Sequence, residues 1–163
     1  MANYAIISAS HRDGAQSLRL AQELNTRFFE GGADVVDLFK ADLPLWNGER
    51  EANVQVREVQ DKITQADGLV FPGQGACDSS MIQLNKKNLV DPIREYISSN
   101  KPFLGICLGL QLLFDGSDEG IEPCLGILRG YNRRFPKGGK VPHMGWNQVE
   151  FDLKHRIFDN IDN

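Results

Sequence analysis

The sequence predicts an α/β fold in which a doubly wound parallel sheet carries helices on both faces, giving three α/β/α layers. Short apolar runs of strand length alternate with longer stretches whose apolar residues recur at helical spacing, and this alternation repeats four times. Turn-forming Gly, Pro, Asn and Asp residues separate the two kinds of segment. Folds of this kind bind their ligands at the carboxyl ends of the strands.

The individual elements can be placed in chain order from these patterns. The predicted strands are Tyr4–Ser8, Asp34–Phe39, Leu69–Phe71 and Phe103–Ile106. The predicted helices are Ser17–Glu30, Val54–Ala66, one beginning near Asp78, one from Asp91 to Ser99 and one starting after Cys107. Beyond Phe114 the apolar pattern predicts two further strands, Leu125–Phe135 and Gln148–Phe151, and therefore a β-rich C-terminal extension.

Length and composition are those of a single domain, 1–163. Of its 163 residues, 41% are hydrophobic and 25% are charged, and the net charge is −4 with no basic block. These values argue against binding to nucleic acid or to a membrane surface. The three cysteines, Cys77, Cys107 and Cys124, lack metal-ligand spacing, so we expect reduced thiols in the cytoplasm and no metal site. No apolar run reaches transmembrane length, and the N-terminus lacks a signal-peptide pattern.

One of these cysteines lies where a strand is predicted to turn into a helix. Cys107 follows an apolar run, and the apolar residues after it recur at helical spacing. Gly105 and Gly109 flank it at two residues on either side, as a tight reversal of the backbone requires. The pattern indicates a nucleophile elbow, where the helix N-terminus favours a thiolate. The competing interpretation is a buried cysteine that serves as a small hydrophobic residue.

Two loops lie where such a fold binds ligands. The first contains Ser10, Arg12 and Ser17, which are suited to hold a phosphate together with backbone N–H groups of the following helix. An ordinary polar loop with Ser17 as the helix cap accounts for the same residues equally well. The second loop, Pro72–Gly75, follows the third strand, and its N–H groups are suited to stabilise an oxyanion near Cys107. Its alternative interpretation is a plain turn.

The residues from about 67 onward resemble the glutaminase subunit of imidazole glycerol phosphate synthase, a class I glutamine amidotransferase of histidine biosynthesis. The matching segments are ADGLVFPGQGACDSSM, NLVDPIREYI, KPFLGICLGLQLLF, GILRGYNRRF and VPHMGWNQVEF. By this resemblance Cys107 is the nucleophile that forms a glutamyl thioester, Gly73 and Gly75 belong to the oxyanion-hole strand, and Gln111 contacts the substrate glutamine. The resemblance also implies that a cyclase-type TIM-barrel subunit docks at His143, Met144, Gly145, Trp146 and Asn147.

The residues from 1 to about 71 are similar instead to NADPH-dependent FMN reductases of the flavodoxin-like fold. The resemblance rests on the ASHRDGAQS loop, which contains Ser10, Arg12 and Ser17, and on DLFKADLPLWN. It implies FMN binding through that loop, although no cofactor is required. The second flavin loop of the reductases is absent, and Pro72–Gly75 stands in its place. The sequence is therefore interpreted as a chimera of two flavodoxin-like halves, 1–71 and 72–163, which meet within 66–72.

The amidotransferase mechanism also requires a histidine base and an orienting glutamate from an H-P-E segment, which this sequence lacks. Neither His143 nor His155, the histidines that follow Cys107, matches the base. We therefore expect a folded chimera without a complete active site, for which weak binding of a phosphate or FMN at the first loop and no binding are both open. The alternatives are a working glutaminase subunit that uses Cys107 and a non-catalytic module that docks a cyclase-type barrel. Dimerisation is expected to cover any exposed apolar edge of the sheet.

Overall fold

A computed structural model describes residues 2–8, 14–38, 40–41, 54–138, 141, 145–148 and 150. The strands are β1 (Tyr4–Ser8), β2 (Asp34–Asp37), β3 (Gly68–Gly73), β4 (Phe103–Cys107), β5 (Gly116–Ser117) and β6 (Tyr131–Asn132). The helices are α1 (Gln16–Phe28), α2 (Val54–Gln65), α3 (Cys77–Lys86), α4 (Val90–Ser98) and α5 (Leu108–Gln111). The first four strands form one parallel sheet in the order β2-β1-β3-β4, which confirms the predicted α/β fold of flavodoxin-like type.

The central strands of the parallel sheet are apolar on both faces. Ile6 of β1 and Val70 of β3 pack with Ala21 of α1 on one face. Ile7 and Phe71, their neighbours in sequence, belong to a larger core on the other face, to which α2, α3 and α4 contribute. Successive strand residues point to opposite faces, so a continuous apolar run needs a helical layer on each side. The three predicted layers follow from this.

Strand order brings the loop after β3 and Cys107 together at the carboxyl ends of the strands. The chain continues from β1 to β2 on one side and returns to β3 on the other, so a crevice opens between β1 and β3 at their carboxyl ends. In the parallel register Gly73 of β3 lies beside Cys107 of β4. The loop that begins at Gly73 and the elbow cysteine are therefore neighbours, although 34 positions separate them.

The C-terminal region differs from the sequence prediction. The predicted strand Leu125–Phe135 is wrong over most of its length, since only Tyr131–Asn132 forms a strand, paired with Gly116–Ser117. Just before it, the N–H groups of Leu125, Gly126 and Ile127 donate to carbonyls at the end of the α5 turn (2.8–2.9 Å), which keeps them out of a sheet. Gln148 and Glu150 are in no strand, and Phe151 lies outside the described residues.

β4 forms an edge of the sheet among the described strands, and its Leu104 side chain is 43% exposed. The dimer that was expected to cover such an edge stays a prediction. In the described part of the chain, no helix has both the length and the apolar character needed to cross a bilayer.

Candidate functional site

Cys107 forms a strained turn between strand and helix. It is the last residue of β4, α5 begins at the next residue, and its backbone has φ of +56°. A residue with a β-carbon adopts such a sparsely populated conformation at a cost of about 1–3 kcal/mol, and strain of this kind concentrates at functional sites. The thiol is exposed rather than buried. The elbow prediction is therefore confirmed in its geometry, and the interpretation as a buried hydrophobic cysteine is wrong.

The two flanking glycines let three backbones approach one another at the elbow. A β-carbon on Gly105 would lie 2.8 Å from the carbonyl oxygen of Gly109. A β-carbon on Gly109 would overlap the carbonyl oxygen of Phe71 in β3. Real side chains do not tolerate such contacts with backbone atoms, so both positions need glycine. The G-x-C-x-G spacing therefore reflects close packing of β4, α5 and β3.

The loop after β3 lies beside the cysteine as predicted. A β-carbon on Gly73 would lie 2.9 Å from the backbone nitrogen of Gly109, which shows how closely this loop approaches α5. Gly75 has φ of +108°, a conformation that favours glycine. The side-chain oxygen of Gln74 accepts a hydrogen bond of 3.1 Å from the backbone N–H of Gln16, which ties the loop to α1. Backbone N–H groups held in this place are suited to stabilise an oxyanion.

Cys107 opens into a cleft of about 680 Å³ at the carboxyl edge of the sheet. The start of α1 forms one wall, with Gln16, Ser17 and Arg19, and the ends of β3 and β4 form the other. The cleft occupies the position where ligands bind in open α/β sheets. A substrate that reached the thiol would therefore lie between α1 and the glycine loop.

The predicted phosphate site is only partly described. Ser10 and Arg12 lie outside the described residues. Ser17 lines the cleft but is 4% exposed, and its hydroxyl shares a hydrogen bond of 3.0 Å with the hydroxyl of Ser8. The prediction that Ser17 caps the helix is wrong, because α1 begins at Gln16 and Ala15 is its N-cap residue. The proposed role of the loop in FMN binding stays a prediction.

Gln111 lines a second pocket, of about 520 Å³, rather than the cleft that holds Cys107. Glu119 and Ser117 line the same pocket, and sequence analysis missed both. Arg133 and Arg134 also line it, so the pocket offers a carboxylate for an ammonium group and guanidinium groups for a carboxylate. No local pattern marks Glu119, because its place depends on how the chain folds back after α5.

Two long-range contacts hold the second pocket together. The Asp78 carboxylate accepts hydrogen bonds of 3.0 Å from the backbone N–H groups of Ile121 and Glu122, which fixes the loop next to Glu119. The side-chain amide of Asn132 donates to the carbonyl oxygens of Gln111 and Gly116, at 2.9 and 3.0 Å. Contacts from α3 and β6 therefore stabilise the pocket.

The predicted docking segment is described in part. Trp146 is fully exposed, at 104% of its reference area. Gly145 and Asn147 are also described, whereas His143 and Met144 lie outside the described residues. An exposed tryptophan is typical of a binding hot spot, yet the docking role of this segment stays a prediction.

The other two cysteines lie in the core and differ from Cys107. Burial raises the pKa of the Cys77 thiol, and burial followed by the neighbouring Cys77 raises the pKa of Cys124 to about 12. In the described part of the chain, no three His, Cys, Asp or Glu side chains are grouped so that they could hold a metal ion. These thiols are therefore neutral core groups at ordinary pH.

Alkylation should separate the three thiols. At pH 8 we expect iodoacetamide to modify Cys107 in the folded protein and all three cysteines in urea, because the reagent needs an accessible thiolate. Mass spectrometry of digested peptides measures the modification, and rapid alkylation of Cys124 in the folded protein would contradict its burial.

A thiol whose pKa is higher in the folded state stabilises the fold below its unfolded pKa of 9.0. We therefore expect the free energy of unfolding to fall between pH 9 and 12. Urea titrations across this pH range measure the free energy of unfolding.

Comparisons with known proteins place the chain among amidotransferases. The sequence model of the family "Glutamine amidotransferase class-I" matches residues 34–163. Imidazole glycerol phosphate synthase subunit HisH of Gloeothece citriformis is 48% identical over 102 residues, covering 61% of this chain and 48% of that protein. The HisH subunit of Trichormus variabilis is 52% identical over 91 residues, covering 55% and 43%. The chain thus spans about half the length of the curated relatives it matches.

A solved structure named for peptidase E, from Listeria monocytogenes, is 17% identical with a TM-score of 0.47, covering 70% of this chain and 50% of that one. The family match runs from residue 34 across the predicted junction at 66–72. None of the relatives named here is a flavin reductase. The chimera interpretation therefore receives no support from these comparisons.

Proposed function

Because this chain belongs to the class I glutamine amidotransferase family, we propose that it is the nucleophile-bearing part of the glutaminase subunit of an imidazole glycerol phosphate synthase. The observation that carries the proposal is the position of Cys107. Its thiol is exposed on a strained elbow, beside a glycine loop and open to a cleft. The relatives, which are subunits of that synthase, support the choice among amidotransferases. This proposal replaces the chimera interpretation.

In the proposed reaction the sulfur of Cys107 attacks the side-chain amide carbon of glutamine. A carbon–sulfur bond forms, and the carbonyl oxygen becomes an oxyanion that accepts hydrogen bonds from N–H groups of the loop around Gly73 and Gly75. The carbon–nitrogen bond then breaks, and the nitrogen takes up a proton and leaves as ammonia. Water hydrolyses the resulting thioester to glutamate and restores the thiol. Proton transfer in these steps requires a base, which the mechanism assigns to a histidine.

The second pocket is the proposed contact for the amino-acid end of glutamine. Gln111 lines it, and the family resemblance gives Gln111 a contact with the substrate. Glu119 in the same pocket supplies a carboxylate that suits the α-ammonium group. Gln111 is the last residue of α5 and Cys107 immediately precedes that helix, and the proposal requires that one glutamine contact both.

We also propose that a cyclase-type barrel subunit docks at the segment from His143 to Asn147. The full exposure of Trp146 supports this, because a large aromatic side chain left in water gains most when a partner covers it. The name of the relatives, which are subunits of a synthase, agrees with a second subunit.

A glutamine analogue that alkylates the nucleophile tests the proposal. We expect 6-diazo-5-oxo-L-norleucine to add to Cys107, because its electrophilic carbon lies near the amide carbon of glutamine. Peptide mass spectrometry should find the adduct on Cys107 and not on the buried Cys77 and Cys124. Excess glutamine should protect the thiol, whereas excess leucine should not. Cys107→Ser serves as the blank, and equal labelling with and without glutamine would refute a glutamine site.

A further inference from the structure

Positive charge is concentrated in one part of this acidic protein. Between residues 123 and 149 the sequence contains no Asp or Glu, although the whole chain has a net charge of −4. The cationic residues of this segment are Arg129, Arg133, Arg134, Lys137 and Lys140. We call residues 129–137 the basic strip. The cationic side chains of the strip are exposed. Without this segment, the net charge of the remaining chain is more negative than −4.

The basic strip also exposes large apolar groups. Tyr131 is 51% exposed and Phe135 is 70% exposed, and Trp146 lies further along the same acid-free segment. Phe135 lines the second pocket together with Arg133 and Arg134. Protein interfaces are typically enriched in aromatic residues and arginine and depleted in lysine. The basic strip has this composition.

Contacts with Asp118 and Tyr131 hold part of the basic strip. Asp118 pairs with Arg133 at 3.3 Å and accepts a hydrogen bond of 3.3 Å from the backbone N–H of Arg134. The Arg133 guanidinium lies 5.6 Å from the centre of the Tyr131 ring. Among the described residues, no ion pair involves the side chains of Arg134 or Lys137. Within the described part of the chain, these two side chains are therefore exposed cations that form no ion pair.

We propose that the basic strip binds a cluster of carboxylates on the cyclase-type partner whose docking also covers Trp146. This inference rests on the docking proposed above and specifies the chemistry of the partner's face. Charge complementarity favours an acidic face, because the acid-free segment carries five cations and no carboxylate. The aromatic groups require apolar cover, which a folded protein face supplies.

The test measures binding of this chain to the purified cyclase subunit of Trichormus variabilis imidazole glycerol phosphate synthase by titration calorimetry. Arg134→Glu should weaken binding about tenfold at 50 mM NaCl, and the difference should shrink to about twofold at 500 mM because salt screens the pair. Arg57→Glu, an equal charge change on an exposed residue of α2, is the matched control and should bind as the wild type. Thermal melts of both variants check that they are folded.

Trp146→Ala in the same assay separates this inference from the docking proposal. If Trp146→Ala weakens binding but Arg134→Glu matches Arg57→Glu at every salt concentration, the acidic face is refuted while docking stands. Absence of binding by the wild type would overturn both. The wild type could instead bind vesicles with 30% phosphatidylserine or a single-stranded oligonucleotide of 20 nucleotides, and not the cyclase. If Arg134→Glu abolished that binding, the strip would belong to another partner and the proposal would be refuted. Self-association through the strip, seen as a dimer lost in Arg134→Glu, would refute it equally.

Discussion

Replacing Gly109 with alanine is expected to lower the free energy of unfolding by about 3 kcal/mol and the melting temperature by roughly 10 °C. In an ordinary helix this change would stabilise the protein by about 0.5–1 kcal/mol, because alanine loses less backbone entropy. Here the new methyl group would overlap the carbonyl oxygen of Phe71, a backbone atom at the centre of the sheet. Strand β3 would have to move away from the elbow to make room.

The matched control is Gly126→Ala. Gly126 has φ of +61°, but a β-carbon there meets nothing closer than 3.8 Å, so only the conformational cost of about 1 kcal/mol is expected. Urea titrations followed by circular dichroism give both values. If Gly109→Ala proves as stable as the wild type, the close approach of β3 and α5 is wrong.

The second large effect concerns catalysis by the chain as it stands. We expect this 163-residue chain to release glutamate from glutamine at least about 10³-fold more slowly than a full-length HisH subunit bound to its cyclase. The nucleophile elbow and glycine loop are present, but the sequence has no H-P-E segment to supply the base and its orienting glutamate. Loss of one member of a catalytic set removes most of the rate that the set provides.

A coupled glutamate dehydrogenase assay measures this rate, with the complete synthase of Trichormus variabilis as the positive control. Cys107→Ser defines the background, and any activity above it should depend on the thiol. A rate within tenfold of the complete enzyme would show that another group of this chain serves as the base. Labelling by the diazo analogue does not settle this point, because it reports only the nucleophile.

Several features of the fold could be read directly from the sequence. The strands around Ile6 and Val70 are predictable because a short apolar run that is buried on both faces is typical of a central strand in a parallel sheet. The elbow at Cys107 is predictable because the glycines two residues away mark where backbones must touch. In contrast, Leu125–Phe135 reads as a strand because it contains apolar residues, whereas its first N–H groups bond to the end of α5.

The candidate site depends on contacts that no local pattern reveals. Asp78 reads as the start of a helix, yet its carboxylate holds a loop 43 and 44 positions away. Ser17 reads as a cap, yet its hydroxyl partner is Ser8 in the preceding strand. Side-chain roles of this kind depend on which elements become neighbours, and a single sequence records that only indirectly.

By itself, the sequence determined the succession of strands and helices as far as Cys107, the presence of an elbow there and the glycines that it needs. Those features follow from preferences that act over a few residues: burial, turn conformation and the size of a side chain. The tertiary structure alone decided that Cys107 and Gln111 line different cavities, that Glu119 joins the second one and that the basic strip is exposed. The physical reason is that parallel strand order brings together residues tens of positions apart, and local propensity carries no information about such distances.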